Sequence, residues 1–395
     1  MPDGLTRHLE AELNALREAG TYKTERELEG PQDAEVKVNG REVVMLTSNN
    51  YLGLANHPRI RAAAREAVDA WGYGMASVRF ICGTDSLHLE LEERIADFFE
   101  ADAAILYTSC WNANEALFAT ILDDPDAVFS DELNHASIID GIRLCKARRH
   151  RYPHADLEAL EKLLDEDESR HRVVVTDGVF SMEGELADLS ALLDLCERKR
   201  ATLVVDDSHA TGVLGARGRG TAEEQGVHGR IPITTGTLGK ALGGAAGGFV
   251  AGPRAVVETL RQRSRPYLFS NALPPMIVAA SLAAFDLLDA EPERVARLRE
   301  NTRWFRDALR ERGFDVREGI HPVVPVMVGD TALAIRLSGE LFERGIYVSG
   351  FGFPVVPKGE ARLRCQISAA HTRDELARAV DAIAEVGQSA GVIVA

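Results

Sequence analysis

A lysine set among small residues is the first position in this chain with chemistry to offer. Lys240 lies in Thr234-Thr235-Gly236-Thr237-Leu238-Gly239-Lys240-Ala241-Leu242-Gly243-Gly244. Glycines at this density let a backbone approach a ligand closely. A lysine crowded into a partly desolvated pocket loses pKa and becomes a usable amine nucleophile. A phosphate-binding P-loop needs glycine where Thr234 stands and Ser or Thr where Ala241 stands, so that motif is excluded. The ordinary alternative is a tight turn with a solvated lysine, and the residues upstream weigh against it.

Asp206 follows the apolar run Thr202 to Val205 and precedes Asp207-Ser208-His209. A buried carboxylate beside a cation stays ionised. Asp206 therefore suits a protonated ring nitrogen, through a charge-assisted hydrogen bond of about 1.5–3 kcal/mol. Helix capping or metal ligation are its alternatives, and only His209 supports a metal. His209, one short turn on, can face the same ligand, and His135 can stack on a flat ring. Each histidine alone reads equally as a core residue. Ser109, Cys110 and Trp111 sit between an apolar run and a helical pattern. A strand feeding a helix N-terminus offers an anion free amides and the helix dipole, though an ordinary N-cap gives the same letters. Thr237 adds a hydroxyl. Arg364, at a strand end, is placed for bidentate pairing with a carboxylate; a surface arginine is its alternative. An imine-forming lysine, an acid for the ring nitrogen, donors for a phosphate and an arginine for the substrate are what pyridoxal 5'-phosphate (PLP) asks of a protein.

These residues need a scaffold. Near-continuous apolar runs at Ala103 to Tyr107, Ala127 to Ser130, Val173 to Thr176, Thr202 to Val205 and Phe249 to Ala251 alternate with helix-length segments. The pattern predicts an α/β fold with a mostly parallel sheet covered on both faces. Ligands collect at the carboxyl ends of such strands, where Ser109, His135, Ser181 and the Asp206–His209 group fall. Gly72 to Thr84 is a glycine-punctuated loop without the third glycine of a dinucleotide fingerprint. An amphipathic helix with Leu9, Leu13 and Leu16 opens the chain, with Gly20 to end it, and residues 21–40 read as an extended arm. Three parts are expected: 1–45, an N-terminal helix and arm; 46–275, a large cofactor-binding domain; and 276–395, a smaller α+β domain.

The chain has 395 residues and a formal net charge of -16, which argues against nucleic acid or an anionic membrane as partner. The five cysteines show no metal-knuckle or redox-pair spacing, so no structural metal is expected. With no apolar h-region and no bilayer-length apolar run, a cytoplasmic location is expected.

The run Asp206-Asp207-Ser208-His209-Ala210-Thr211-Gly212, followed by Gly236-Thr237-Leu238-Gly239-Lys240, resembles the α-oxoamine synthases. So do Asn49-Asn50-Tyr51-Leu52-Gly53, Met75 to Thr84, Asn134 to Gly141 and Ser264 to Asn271. These are PLP enzymes of fold type I (aspartate aminotransferase-like) that condense an amino acid with an acyl-CoA, and the likeness spans the chain. It implies that Lys240 is the Schiff-base lysine, that Asp206 and His209 hold the ring, and that His135 stacks on it. It places Ser181 by the phenolic oxygen, Cys110, Trp111 and Thr237 at the phosphate, and Asn50 and Arg364 at the substrate carboxylate. Ser270 and Asn271 are implied to reach the phosphate of a neighbouring subunit, hence a homodimer with shared active sites. The implied reaction joins glycine and acetyl-CoA to give 2-amino-3-oxobutanoate and CoA, with a functional link to a threonine dehydrogenase. A longer acyl thioester, or a non-catalytic PLP-binding regulator, are the alternatives. Trp111 stands where the family often has Phe, and Thr211 where it often has Val.

Overall fold

A computed structural model describes residues 3–393; the first two and last two residues of the expected terminal parts lie outside that range. Its centre is a seven-stranded sheet ordered Ala103–Tyr107, Gly248–Gly252, Ile233–Thr237, Thr202–Asp206, Arg172–Asp177, Ala127–Asp131, Arg148–Tyr152. Neighbours pair in parallel except Gly248–Gly252, which runs against both of its partners. The inner strands are buried almost throughout, as continuous Val, Ile and Leu runs require when both faces are covered. Alternate residues serve opposite faces. Ile105, Val128, Val175, Val204 and Val250 pack with Leu117 and Phe118 of the helix Cys110–Ile121. On the other face Phe129, Val174, Leu203 and Val205 pack with the leucines of the helix Leu189–Lys199. Each such side chain contributes about 1.5–3 kcal/mol on burial.

A second sheet pairs Val323–Gly329, Ala361–Gln366 and Ser349–Phe351, all antiparallel. Ala361–Gln366 is fully buried although it carries Arg362 and Arg364. Arg362 resolves this by pairing with Glu183 at 3.2 Å. The long helices expected after residue 275 are Pro275–Ala290 and Glu293–Glu311.

One expectation is corrected and two strands are added. Residues 21–40 are not all extended arm: Glu35–Val38 pairs antiparallel with Arg41–Met45. The turn between them is Asn39-Gly40, both at positive φ, the pair that a two-residue hairpin favours. Ile233–Thr237, inside the lysine segment, is a sheet strand despite Gly236, whose missing Cβ leaves room for the Phe249 ring. Arg148–Tyr152 is an edge strand of mainly charged residues, which carries no apolar run to reveal it. The opening helix spans Gly4–Glu18 and is capped by Asp3 as Gly20 turns the chain at positive φ. None of its residues is buried within the chain, so its leucine face has no surface here to lie on. Among the described residues, no helix is long and apolar enough to cross a membrane.

Candidate active site

Strand ends and helix starts bring many of the expected residues into one connected neighbourhood. Asp206 is the last residue of its strand and is buried. Its Oδ2 accepts from Asn114 Nδ2 at 2.6 Å, and its Oδ1 from the Ser208 amide at 2.9 Å. Cys110 Sγ lies 3.6 Å from Oδ2, and burial pushes that thiol well up, with the Asp206 charge adding to the effect. Cys110 is therefore a neutral packing group here, not a thiolate.

Lys240 is part-buried in the loop after Ile233–Thr237. Its ammonium is held below the ordinary lysine value, with desolvation the largest cause; Asp206, Cys110 and Asp177 oppose this. His209 is buried, and burial lowers its imidazole well below the usual range, with Lys240 and Arg364 adding to the shift. Its Nδ1 lies 3.0 Å from the Tyr51 hydroxyl, and His321 Nε2 lies 2.9 Å from its carbonyl. His321 Nδ1 already accepts from the Val323 amide, so its Nε2 carries the proton and donates to that carbonyl.

His135 caps the helix Ala136–Leu144, accepting from the Ser137 amide through Nδ1. Desolvation lowers its pKa, Asp206 opposes this, and Lys240 adds to it. Its ring meets Trp111 edge-on at 6.0 Å between centroids. Asp177, unremarked in the sequence, holds the His135 amide at 2.8 Å. Burial raises its carboxyl well above the usual value, and the Asp206 charge adds to this. A carboxylate ending a neighbouring parallel strand was the signal that would have found it.

Ser109 caps the helix Cys110–Ile121 by accepting from the Asn112 amide. The Ser109–Gly247 bridge sets the Cys110 amide toward the Gly247 carbonyl, and the Trp111 amide lies in the first helical turn, where no intrahelical acceptor precedes it. Thr237 Oγ1 donates to the Gly247 carbonyl and accepts from the Gly239 amide, which anchors the lysine loop. Arg364 donates from Nε to the Ser181 carbonyl at 2.6 Å and from Nη1 to Gln366 Oε1 at 2.7 Å. Gln366 in turn donates to Asn49 Oδ1 at 2.6 Å. Asn50 is buried, and its Oδ1 accepts from the Ala55 amide. Ser270 and Asn271 are not in this cluster: they line a narrow cavity with Arg79, Tyr107, Thr108 and Tyr267. Among the described residues, no cluster of His, Cys, Asp and Glu is arranged to hold a metal ion.

The chain belongs to the class I and II aminotransferase family, whose model matches residues 41–383. The α-oxoamine synthase likeness is sustained within it. The chain is 51% identical over 386 residues to the 2-amino-3-ketobutyrate coenzyme A ligase of Escherichia coli, covering 97% of each. It is 46% identical to the 8-amino-7-oxononanoate synthase of Symbiobacterium thermophilum, over 98% of this chain and 100% of that one. Its fold superposes on the serine palmitoyltransferase of S. paucimobilis solved with a bound PLP–myriocin aldimine, with a TM-score of 0.93 at 31% identity, covering 99% and 100% of the two chains. PLP is the cofactor. The site fits it: a Cβ at Gly248 would overlap Ser109 and Cys110 main-chain atoms, so only glycine leaves that helix start where it is. A helix start of this kind suits a phosphate, and Asp206 suits a ring cation.

Proposed function

We propose that this chain interconverts glycine plus acetyl-CoA with 2-amino-3-oxobutanoate plus CoA. The observation that carries the reading is a lysine whose amine burial holds below its ordinary value, with the buried Asp206 among the charges acting on it, in a chain half identical to ligases of that product. Bound PLP supplies an electron-withdrawing pyridinium that stabilises negative charge on a substrate carbon. The residues divide the remaining work. Arg364, pre-aimed by Ser181 and Gln366, clamps the glycine carboxylate together with Asn50. Lys240 Nζ, its pKa lowered by burial, takes the Cα proton. Asp206 holds the ring nitrogen, and its bond counts most when charge develops, which is where rate is gained. His209 and Ser181 attend the phenolic oxygen, while Cys110, Trp111 and Thr237 hold the phosphate. His135 donates from Nε2 to the thioester oxygen.

The large exposed apolar groups Trp71, Tyr73, Phe80, Ile81 and Phe269 support a homodimer, with Ser270 and Asn271 serving the partner's phosphate. The three-part organisation at 1–45, 46–275 and 276–395 belongs to the same reading. So do a cytoplasmic setting and flux toward glycine in threonine breakdown, fed by a threonine dehydrogenase. The test is thiol release with glycine and a panel of acyl-CoAs. Acetyl-CoA should lead and Lys240→Ala should abolish turnover. Preference for a pimeloyl thioester, or an active Lys240→Ala, refutes the assignment.

A further inference from the structure

Asn114 lies one helical turn beyond Cys110, mid-helix, and is 1% exposed. Asparagine is a poor helix former and costs free energy when buried unpaired. Here its amide is used from both ends. Nδ2 donates to Asp206 Oδ2 at 2.6 Å and to Ser137 Oγ at 2.9 Å. Oδ1 accepts from Thr235 Oγ1 at 2.8 Å. A carboxylate only accepts, so the Asp206 bond fixes which end of the amide is nitrogen.

The bond to Ser137 has a second effect. Ser137 Oγ, receiving a proton from Asn114, has its own hydrogen left for His135 Nδ1, 2.7 Å away. That same Nδ1 accepts from the Ser137 amide at 3.3 Å. With both donors converging on Nδ1, the imidazole proton belongs on Nε2, the nitrogen turned from the helix cap. One amide thus touches four elements: its own helix, the strands ending at Asp206 and holding Thr235, and the helix that His135 caps.

We propose that Asn114 is a positioning residue that fixes the aim of the Asp206 carboxylate and the tautomer of His135 together. This rests on the reading that both residues face the PLP ring. Asn114 does not touch the substrate. It couples the group under the ring nitrogen to the group over the ring face, so neither can reorient alone.

The test uses the full chain labelled with 15N-histidine, first free of cofactor and then titrated with PLP. The His135 resonance is identified by its loss in His135→Gln. In the unsubstituted chain His135 should show the Nε2–H tautomer. Asn114→Ala should give a tautomer mixture and retain PLP about tenfold less tightly. Ser137→Ala should disturb the tautomer but leave PLP retention within about twofold, since the Asp206 bond survives. Thr235→Val, which keeps both shape and Asn114, should produce both Asn114→Ala effects in smaller measure; it carries the test if Asn114→Ala does not fold. An unchanged His135 tautomer and PLP affinity in folded Asn114→Ala, or in Thr235→Val in its place, overturns the inference. Failure of the unsubstituted chain to retain PLP at Lys240 overturns instead the reading beneath it.

Discussion

Gly248→Ala isolates the geometry of the phosphate cup without touching a functional side chain. A Cβ there would sit 2.5 Å from Cys110 Cα and nearer still to other main-chain atoms of Ser109 and Cys110. Comfortable carbon–carbon separation is about 3.5–4.0 Å, so the helix start must retreat by about 1 Å. A hydrogen bond stretched by that much is largely lost. Each amide–phosphate bond is worth about 1.5–3 kcal/mol. One lost amide should therefore weaken PLP retention by about tenfold to a hundredfold. The forced overlap should also cost about 1–3 kcal/mol of stability. PLP titration of the cofactor-free chain, alongside a denaturant melt, reads both quantities. Gly339→Ala is the control. That glycine is helical with open space around it, so alanine should stabilise by about 0.5–1 kcal/mol and leave PLP affinity alone. Full PLP affinity in a folded Gly248→Ala would mean that the Cys110–Trp111 amides do not hold the phosphate.

Three further expectations follow from groups outside the cup. Burial raises the Asp207 carboxyl to about 7, against the lowering effect of Thr221. The folded chain then keeps a proton that the unfolded chain releases near pH 4, so this contribution fades as pH rises from about 4 to about 7. Asp207→Asn should gain on the unsubstituted chain by about 2–3 kcal/mol between pH 5 and pH 8, at about 1.4 kcal/mol per pH unit up to the folded pKa; a pH-independent difference in urea melts contradicts the buried acid. Glu92 receives Arg79 at 2.9 Å, Arg261 at 3.2 Å and the Leu106 amide at 3.2 Å. Glu92→Ala strands the buried Arg79 and should cost about 3–5 kcal/mol by thermal or chemical melting, and a loss below about 1 kcal/mol would show that water rescues the arginine. Tyr73 and Phe80 are 81% and 61% exposed; placing Asp at both should shift sedimentation toward monomer, and an unchanged species argues that the subunit contact lies elsewhere.

Much of the sheet is legible because buried parallel strands are written as uninterrupted Val, Ile and Leu. Where that code lapses, the reading lapses. Arg148–Tyr152 has one face and one edge open, so it tolerates arginines. Ile233–Thr237 is spelled with threonine and glycine because Thr235 serves Asn114 and Gly236 admits Phe249. The Asn39-Gly40 pair is a hairpin signal legible in the sequence, set within a polar stretch that otherwise reads as an arm. At the site, Lys240, Asp206 and His209 are visible because their neighbours are small, polar and clustered in sequence. Asn114, Asp177 and His321 come from elements far apart in the chain. Their importance lies in partners that only the fold assembles, although a buried-looking asparagine in an apolar helix was a readable clue.

The antiparallel strand has a consequence beyond closing the sheet. Gly247, just before it, donates its amide to Thr108 and accepts at its carbonyl from Leu238 and Thr237. One residue thereby ties the turn before Cys110 to the loop before Lys240, mostly through main chain. The spacing between the Cys110 helix start and the Lys240 loop is thus set mainly by main-chain bonds, and it shifts where a substitution such as one at Gly248 displaces the backbone itself. Refitting this scaffold to a longer or shorter aldehyde would take a change in that backbone path rather than only a new set of side chains around it.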